Sequence, residues 1–370
     1  MKKVNLAIVG VGNCASALVQ GIEYYKYKNN NSGLMFDVIG NYRPQDIDVV
    51  AAFDVDSRKV GLPVGKAIFQ KPNNAEVFQK LIPIKNEVLV SRGPTLDGIA
   101  SHMKEYPSKQ SFRESTNKVE NVANVLKESK ADVLICYLPV GSQEAVEYYA
   151  KICVENNIAF INCVPVFIAS NPIWEKKFRD AKVPLIGDDI KSQFGATLLH
   201  RIVSNHLNKR GYKINRTYQL NTGGNTDFLN MLERKRLKSK KISKTQSVTS
   251  QMSDKIIDEN IHIGPSDYVQ WQKDNKIAFI RVEGEGFGGS KLDLEMRLSV
   301  QDSPNSAGVA IDTIRFAALA KRRGDAGSIE SASAYYMKSP LKQFGDEEAR
   351  RMVEEYNNNQ VNPQINILEK

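Results

Sequence analysis

Positive charge is concentrated in residues 233–244, which read ERKRLKSKKISK. Seven of these twelve side chains are cationic and one is anionic, so the segment supplies six of the nine net positive charges of the chain. Lys240 and Lys244 are four residues apart and would share one face of a helix, where like charges repel by roughly 0.2–0.5 kcal/mol. A phosphate dianion between the two ammonium groups would offset that repulsion. A solvated helix face and a nucleic-acid contact are the alternatives.

Two further lysines lie where an ammonium group could meet an anion or exchange a proton. Lys291 follows glycines in GEGFGGSK, although the segment lacks the G-K-[ST] order of a P-loop. Lys338 lies between apolar and aromatic residues in AYYMKSPL. Burial there would lower the pKa of Lys338 and suit it to proton transfer, whereas a surface lysine with a covered stem fits the same segment equally well.

Acidic residues occur in three short polar segments. Asp188 and Asp189 lie in GDDIKSQ after a predicted strand and could cap a helix, orient a lysine or bind a cation. Asp227 lies in NTGGNTDF, where adjacent glycines either offer N–H groups to an anion or form an ordinary turn. Asp302 stands just before Ser303, the predicted cap of the next helix, in which Pro would occupy the first position.

The start of the chain has the pattern of a nucleotide-binding βαβ unit. An apolar run at residues 4–9 ends at Gly10 and Gly12, and residues 15–25 predict a helix. The first glycine allows a tight turn, the second lets the backbone approach a pyrophosphate, and Ala15 permits close packing. Asp54 ends the next predicted strand and would bind the ribose hydroxyls, which favours NAD over NADP. It lies 42 residues beyond Gly12, against roughly 20 in the usual pattern, and an inserted loop at residues 26–48 accounts for the difference.

The remaining pattern defines the fold class. Short apolar strands alternate with helices as far as residue 193, which predicts a parallel sheet covered on both faces. Beyond a helix at residues 196–209, alternating segments at 277–289 and 292–300 flank a Gly-rich turn. This pattern predicts an open, largely antiparallel sheet. We therefore expect an α/β protein with a Rossmann-like parallel-sheet NAD domain and an inserted α/β domain.

Composition excludes several classes of protein. The chain has 370 residues, 41 % of them apolar and 25 % charged, which is typical of a globular protein with two domains. No apolar run approaches the ~18 residues of a membrane span, and the start lacks a signal-peptide cleavage pattern. The four cysteines form no C-x-x-C pair, so we expect buried thiols and no Cys/His zinc site. A cytoplasmic location is the expectation.

The ordered set of segments resembles the inositol-3-phosphate synthases (1L-myo-inositol-1-phosphate synthases), in particular their shorter prokaryotic branch. The segments that carry the resemblance are GVGNCAS, VAAFDVD, GDDIKSQ, NTGGNTDFLNM, SKKISK, GGSK, DSPNSAGVAIDTIR and YYMKSPL. The resemblance implies a cyclase that isomerises glucose 6-phosphate to 1L-myo-inositol 1-phosphate with catalytic NAD. Oxidation at C5, enolisation at C6, attack on the C1 aldehyde and re-reduction at C5 would follow one another, with no net redox change.

The resemblance also assigns four lysines and three carboxylates to catalysis: Lys240, Lys244, Lys291, Lys338, Asp189, Asp227 and Asp302. Lys240 and Lys338 are expected to transfer protons and stabilise oxygen, whereas Lys244 and Lys291 are expected to hold the phosphate and sugar hydroxyls. Asp189 matches the family's acid beside the nicotinamide. The other two acids would bind sugar hydroxyls or position lysines.

The expected cofactor contacts lie in the glycine turn, after the second strand and in GDDIKSQ: Gly10, Gly12, Asn13, Cys14, Ala15, Asp54, Asp188 and Ser192. An assisting cation, divalent or monovalent, is left open, with Asp188 and Ser192 as candidate ligands. Residues 1–195 and 303–370 would form the NAD domain, and residues 196–302 the catalytic and tetramerisation domain. The expected assembly is a homotetramer.

Two other functions fit parts of the same pattern. A conventional NAD-dependent sugar-phosphate dehydrogenase would use the same cleft but accumulate NADH. An NAD-sensing nucleic-acid binder would use residues 233–244, although aromatic interleaving and RNA-binding motifs are missing from the sequence. We expect a small phosphorylated substrate as the partner, rather than nucleic acid or a membrane.

Overall fold

The computed structural model describes residues 3–27, 32–80, 82, 88–252, 256–264 and 267–358. The strands, in chain order, are β1 (Val4–Val9), β2 (Ile47–Asp54), β3 (Val90–Arg92), β4 (Val133–Cys136), β5 (Ala159–Asn162), β6 (Pro184–Ile186), β7 (Lys213–Gly223), β8 (Ile261–Ile263), β9 (Asp267–Tyr268), β10 (Asn275–Glu285), β11 (Lys291–Gln301) and β12 (Gly327–Ser328). The helices are α1 (Asn13–Lys26), α2 (Val64–Ala67), α3 (Val122–Glu128), α4 (Gln143–Glu155), α5 (Pro172–Asp180), α6 (Ala196–Lys209), α7 (Thr226–Asn230), α8 (Lys238–Thr249), α9 (Asp302–Arg323), α10 (Glu330–Tyr336) and α11 (Asp346–Asn358).

The larger sheet is parallel, and the order of its described strands is β12-β6-β5-β4-β1-β2-β3. Strands β1 to β6 thus follow the 3-2-1-4-5-6 order of doubly wound dinucleotide-binding domains. The strand order reverses between β1 and β4. Ligands of such sheets bind at this switch point, outside the carboxyl ends of the strands.

Two apolar layers bury the faces of this sheet, which confirms the predicted parallel arrangement. One layer joins α1, α9 and α10 to the sheet, and the other joins α3, α4 and α5 to its opposite face. Helix α9 is central to the first layer, since most of its residues are buried. These layers fix the carboxyl ends of β1, β2 and β4 relative to the amino end of α1.

The smaller sheet has the order β11-β10-β7-β8, and β9 pairs with β7 outside this path. Its three long strands are antiparallel neighbours, whereas β8 and β9 lie parallel to β7. One face packs against α6 through Ala278, Ile280 and Val282. On the other face, Phe279 and Leu220 pair across β10 and β7 and are exposed. The predicted open sheet is therefore confirmed, with a mixed strand pattern.

The start of α9 corrects the sequence prediction. The helix begins at Asp302, so Ser303 is a helical residue and not its N-cap. A different side chain satisfies the exposed donors: Asp274 Oδ2 accepts the backbone N–H of Ser303 at 3.0 Å, and Asp274 Oδ1 accepts its hydroxyl at 2.8 Å. The carboxylate of Asp274 thus caps α9 from the segment that precedes β10.

The structure also shows the state of the cysteines and the character of the helices. All four cysteines are free, and Cys136, Cys153 and Cys163 are buried, whereas Cys14 is partly exposed. Within the described ranges, the structure has no helix of the length and apolar character needed to cross a membrane.

Candidate active site

A cleft lies at the switch point, and the glycine turn between β1 and α1 forms part of its wall. Gly10 has a φ of +88°, and a Cβ there would approach Tyr137 O to 2.7 Å, so only glycine fits. Gly12 is the N-cap of α1, and a Cβ on it would meet nothing within 4 Å. The turn therefore packs tightly at its first glycine and is open at its second.

The amino end of α1 fits the pyrophosphate of a dinucleotide. The N-cap residue Gly12 has no side chain to cap this helix, and among the described residues its first backbone N–H groups are available beside the cleft. Ala15 is fully buried where helix and strand pack closely. Burial and the nearby Asp302 raise the pKa of the Cys14 thiol to about 12, so Cys14 serves as a neutral lining group. The predicted contacts in the turn thus surround an uncapped helix end.

Asp54 lies at the end of β2 and lines the cleft, where a ribose ligand was predicted. Its carboxylate accepts N–H bonds from Val11 at 2.8 Å, Val55 at 2.7 Å and Asp56 at 2.8 Å. A carboxylate has about four acceptor sites, so one remains for a ligand hydroxyl. Lys59, which the sequence did not single out, is fully buried and donates to Val11 O at 2.7 Å. It therefore fixes the glycine turn from behind.

Asp188 lies outside the cleft, which corrects its prediction as a cofactor or cation ligand. Its carboxylate is fully buried and accepts five hydrogen bonds from the side chain of Asn162, the backbone of residues 168–170 and the Ser170 hydroxyl. Burial outweighs these bonds and raises the pKa of Asp188 to about 6. The side chain organises the loop behind the cleft. Ser192, from the same segment, does line the cleft.

Asp189 and Lys338 form the first lysine–carboxylate pair of the cleft. Lys338 Nζ lies 2.8 Å from Asp189 Oδ1 and also donates to Ile190 O at 2.8 Å, while Ser243 Oγ donates to Asp189 Oδ2 at 2.7 Å. Burial lowers the pKa of Lys338, and Asp189 only partly opposes that shift. Asp189 has a φ of +61°, a strained conformation that functional sites often hold. The structure thus brings together two residues that the resemblance assigned to catalysis.

Lys240 and Asp227 form a second pair across the cleft. Lys240 Nζ lies 2.8 Å from Asp227 Oδ2, and Asp189 is a further acidic neighbour. Burial alone would lower the pKa of Lys240, but the attraction to Asp227 and Asp189 outweighs it and raises the pKa. The side chain therefore stays an ammonium ion. Asp227 reaches the cleft from α7, whose N-cap Asn225 begins the helix where the sequence had predicted a loop.

Lys276 and Asp302 form a third pair, which sequence reasoning missed in part. Lys276 Nζ lies 3.1 Å from Asp302 Oδ1, and both residues line the cleft. In the β10–β11 hairpin Lys276 lies opposite Val300, and Asp302 follows Val300 by two residues. This register could have identified Lys276 from the sequence, because the Gly-rich turn between the two alternating segments determines which residues lie opposite each other.

Lys244 has no ion pair or hydrogen bond in the part of the chain that the structure describes, although it is buried and lines the cleft. Burial lowers its pKa well below the usual value, and nearby Lys276, Lys240 and Lys338 lower it further. An anion among these ammonium groups would remove that penalty. Helix α8 presents Lys240 and Lys244 together, as their spacing predicted.

Lys291 is not part of this cluster, which corrects its prediction as a substrate ligand. Its side chain is exposed and pairs with Glu285 across the tip of the β10–β11 hairpin. Strand β11 runs from Lys291 to Gln301, and Asp302 at its other end lines the cleft. At ~3.3 Å per residue, Lys291 therefore lies roughly 35 Å away. Its glycine neighbours form the hairpin turn between β10 and β11.

Asp274 joins the glycine turn to the lysine-bearing elements. Beyond capping α9, its Oδ1 accepts Asn13 Nδ2 at 2.9 Å and Asn225 Nδ2 at 3.0 Å. Burial and the nearby Asp302 raise the pKa of Asp274 to about 6. One side chain thus holds the amino ends of α1, α7 and α9 together. Across the described residues, no group of three or more His, Cys, Asp or Glu side chains is placed to hold a metal ion.

These features define a class of protein: α/β proteins of doubly wound topology that gather lysines and carboxylates at the switch point of the parallel sheet. A sequence model of the family described as Myo-inositol-1-phosphate synthase matches residues 195–303. An inositol-3-phosphate synthase of Mycolicibacterium smegmatis is 52 % identical over 96 % of this chain and 98 % of the relative. One of Corynebacterium glutamicum is 48 % identical over 95 % and 98 %.

The chain belongs to the inositol-3-phosphate synthase family and is an enzyme. The crystal structure of a myo-inositol-1-phosphate synthase-related protein from Thermotoga maritima matches 96 % of this chain and 98 % of that chain, with a TM-score of 0.79 and 22 % identity. At that identity the likeness establishes the fold alone. The predicted family and fold class are therefore confirmed.

Proposed function

We propose that this enzyme converts glucose 6-phosphate to 1L-myo-inositol 1-phosphate by an NAD-dependent isomerising cyclisation. The observation that carries the proposal is the convergence of four buried or partly buried lysines beside the uncapped amino end of α1. Three of these lysines form ion pairs with carboxylates, and Lys244 forms none in the described residues. A phosphorylated sugar that passes through an enolate requires this combination of charges.

Bound NAD would supply a reversible hydride acceptor at this site. The backbone N–H groups at the start of α1 would hold its pyrophosphate, and Asp54 would accept a ribose hydroxyl. Lys59 and Asn73, which both donate to Val11 O, keep the turn in place from the interior. The fit of the uncapped helix end supports the predicted cofactor, although an assisting cation has no comparable support.

The lysines divide the acid–base work according to their surroundings. Burial lowers the pKa of Lys338, so its amine is the better acceptor for the proton next to the carbonyl group. The acidic neighbours of Lys240 keep it protonated, which suits it to stabilise the enolate oxygen. Asp189 holds Lys338 in position through a 2.8 Å contact. We therefore assign proton abstraction to Lys338 and oxyanion stabilisation to Lys240.

We assign binding of the substrate phosphate to Lys244 and Lys276. A phosphate dianion would offset both the burial of Lys244 and its repulsion by neighbouring cations, and would raise its pKa again. Lys276 replaces Lys291 in this assignment, because Lys276 lines the cleft and Lys291 does not. Asp302 would position Lys276 through their 3.1 Å contact.

Phosphorus NMR of the reaction mixture tests the proposal. Purified enzyme with glucose 6-phosphate and NAD⁺ should yield an inositol monophosphate signal, with no lasting rise in NADH absorbance. The same experiment with a chelator tests the requirement for a cation. Stoichiometric accumulation of NADH with an oxidised sugar would instead identify a sugar-phosphate dehydrogenase.

The domain division, assembly and location of the protein remain predictions within the same proposal. The exposed Phe279 and Leu220 on the open sheet support an assembly through residues 196–302, as the family resemblance implies for a homotetramer. Light scattering after gel filtration should give the mass of four chains. The cytoplasmic location expected from the sequence is testable by cell fractionation.

A further inference from the structure

A second, more exposed pocket adjoins the cleft on the outer side of α8. We call it the outer basic pocket, and six cations line it: Arg234, Lys235, Lys238, Lys240, Lys241 and Lys244. Its volume is about 420 Å³, within the roughly 300–1,000 Å³ range of small-molecule sites. Much of the basic segment thus forms a concave surface instead of a convex solvated helix face.

The fold does not use the exposed cations of this pocket. Arg234, Lys235, Lys238 and Lys241 are exposed, and their side chains have no ion pair or hydrogen bond in the described ranges. Arg236, in the same segment, behaves differently. It donates to Val140 O at 3.0 Å and to Asp97 O at 2.8 Å, so it anchors the segment to the loops that follow β3 and β4. The other four are available to an anion.

The two pockets share Lys240 and Lys244. Lys244 Nζ lies beside Gly264 on the outer side, 3.6 Å from the position of a Cβ there, while its side chain also lines the cleft. An anion in the outer basic pocket is therefore next to the lysine assigned to the substrate phosphate. Lys240 and Lys244 thus provide positive charge to both pockets.

We propose that the outer basic pocket is a binding subsite for a phosphomonoester dianion, through which the phosphorylated substrate enters the cleft. The identity of that substrate rests on the proposed function. A concave surface of unpaired cations raises the local concentration of a dianion and its association rate, and this effect weakens with salt. The subsite therefore acts on kcat/KM and leaves the chemical step alone.

A triple variant, Lys235→Gln, Lys238→Gln and Lys241→Gln, tests the proposal. Its matched control, Lys104→Gln, Lys118→Gln and Lys127→Gln, removes the same charge from exposed lysines that do not line the outer basic pocket. With saturating NAD at low ionic strength, the first variant should lose about tenfold in kcat/KM, keep kcat within about twofold and show a flatter salt dependence. The control should match the unmodified enzyme.

Unchanged kcat/KM in the first variant, or equal losses in both variants, would overturn the subsite. So would salt-dependent binding of DNA or RNA that the first variant loses while its kcat/KM is unchanged. Titration with inorganic phosphate, followed by phosphorus NMR line width, gives an independent measure, and the first variant should bind phosphate more weakly than the control. Failure of the proposed function is distinguishable, because the unmodified enzyme would then form no inositol phosphate.

Discussion

At the scale of single residues, the cleft lysines differ because their neighbours differ. Lys240 has three carboxylates nearby, Lys338 has one, and Lys244 has three cations against one carboxylate. The same side-chain chemistry therefore yields one lysine with a raised pKa, one with a lowered pKa, and one whose strongly lowered pKa an anion would raise. Residue type alone does not distinguish these three states.

The lowered pKa of Lys244 predicts an early alkaline loss of activity. Phosphate binding requires the ammonium form, so kcat/KM should fall as pH rises, beginning below the usual range of a lysine. In Lys244→Arg the charge persists to high pH, and the alkaline limb should move up by about one pH unit or more. A pH profile of kcat/KM for both proteins measures this shift. Identical limbs would exclude Lys244 as the titrating group.

A second prediction contrasts Lys276 with Lys291. Lys276→Met removes a cation from the cleft and should lower kcat/KM by roughly 100-fold or more. Lys291→Met removes an exposed cation from the hairpin tip and should change it by less than about twofold. Steady-state assays of inositol phosphate formation measure both, with circular dichroism as the folding control. The opposite order of effects would restore Lys291 to the site.

Sequence alone identified most of the charged residues that line the cleft, but not all of them. Asp189, Asp227 and Asp302 were recognisable because each lies in a distinctive polar segment. Lys276 lies in an ordinary alternating strand, and only the register of the hairpin brings it to the cleft. Asp188 shares its segment with Asp189, yet the loop turns its carboxylate inward, which sequence spacing cannot indicate.

At the scale of elements, the sequence predicted β1 and α6 with their observed bounds, because clear periodicity and glycines delimit them. The start of α9 was misplaced, since its cap comes from Asp274 on a distant segment. Local rules identify caps that a helix supplies itself. They do not predict a cap from a carboxylate that tertiary packing brings to the helix end.

The glycine turn predicts opposite outcomes for two similar substitutions. Gly10→Ala would force a Cβ against Tyr137 O at a positive φ and should destabilise the fold by about 2 kcal/mol or more. Gly12→Ala places its Cβ in open space and should leave the free energy of unfolding within about 0.5 kcal/mol. It should nevertheless weaken NAD binding, because the methyl group faces the cleft.

Urea unfolding and NAD titration by fluorescence measure the two effects separately. Equal stability of the two variants would contradict the tight packing of Gly10. Unchanged NAD affinity in Gly12→Ala would contradict the pyrophosphate position at the start of α1.

At the scale of the whole molecule, a buried charge cluster links distant parts of the chain. Lys191 Nζ donates to Ala334 O at 2.9 Å and lies 3.6 Å from Asp346, which also pairs with Arg201. The cluster joins the segment after Asp189 to α6, α10 and α11. The order of the parallel sheet was predictable in class from strand alternation, whereas this long-range cluster was not, because its members are far apart in sequence.

The cluster predicts how stability varies with pH. Burial and the nearby Arg201 lower the pKa of Lys191 to about 7, against a usual value near 10.5. Between these pH values the unfolded chain still binds a proton on Lys191 that the folded chain has released. The free energy of unfolding therefore rises with pH across this range and falls as pH drops towards 7. The slope approaches about 1.4 kcal/mol per pH unit.

Urea unfolding of the unmodified protein and Lys191→Met across this range measures the contribution. The advantage of the unmodified protein should increase from about pH 7 towards about pH 10. Parallel stability curves would show that Lys191 keeps its proton when the protein folds.

The late position of α9 and β12 has a consequence for biosynthesis. The first six strands of the parallel sheet leave the ribosome well before residues 302–328, yet α9 covers one of their faces and β12 completes their edge. The nascent polypeptide therefore carries an uncovered apolar layer while the whole smaller sheet is still being translated. Since exposed apolar surface promotes aggregation, we expect chaperones to bind the growing chain at this stage.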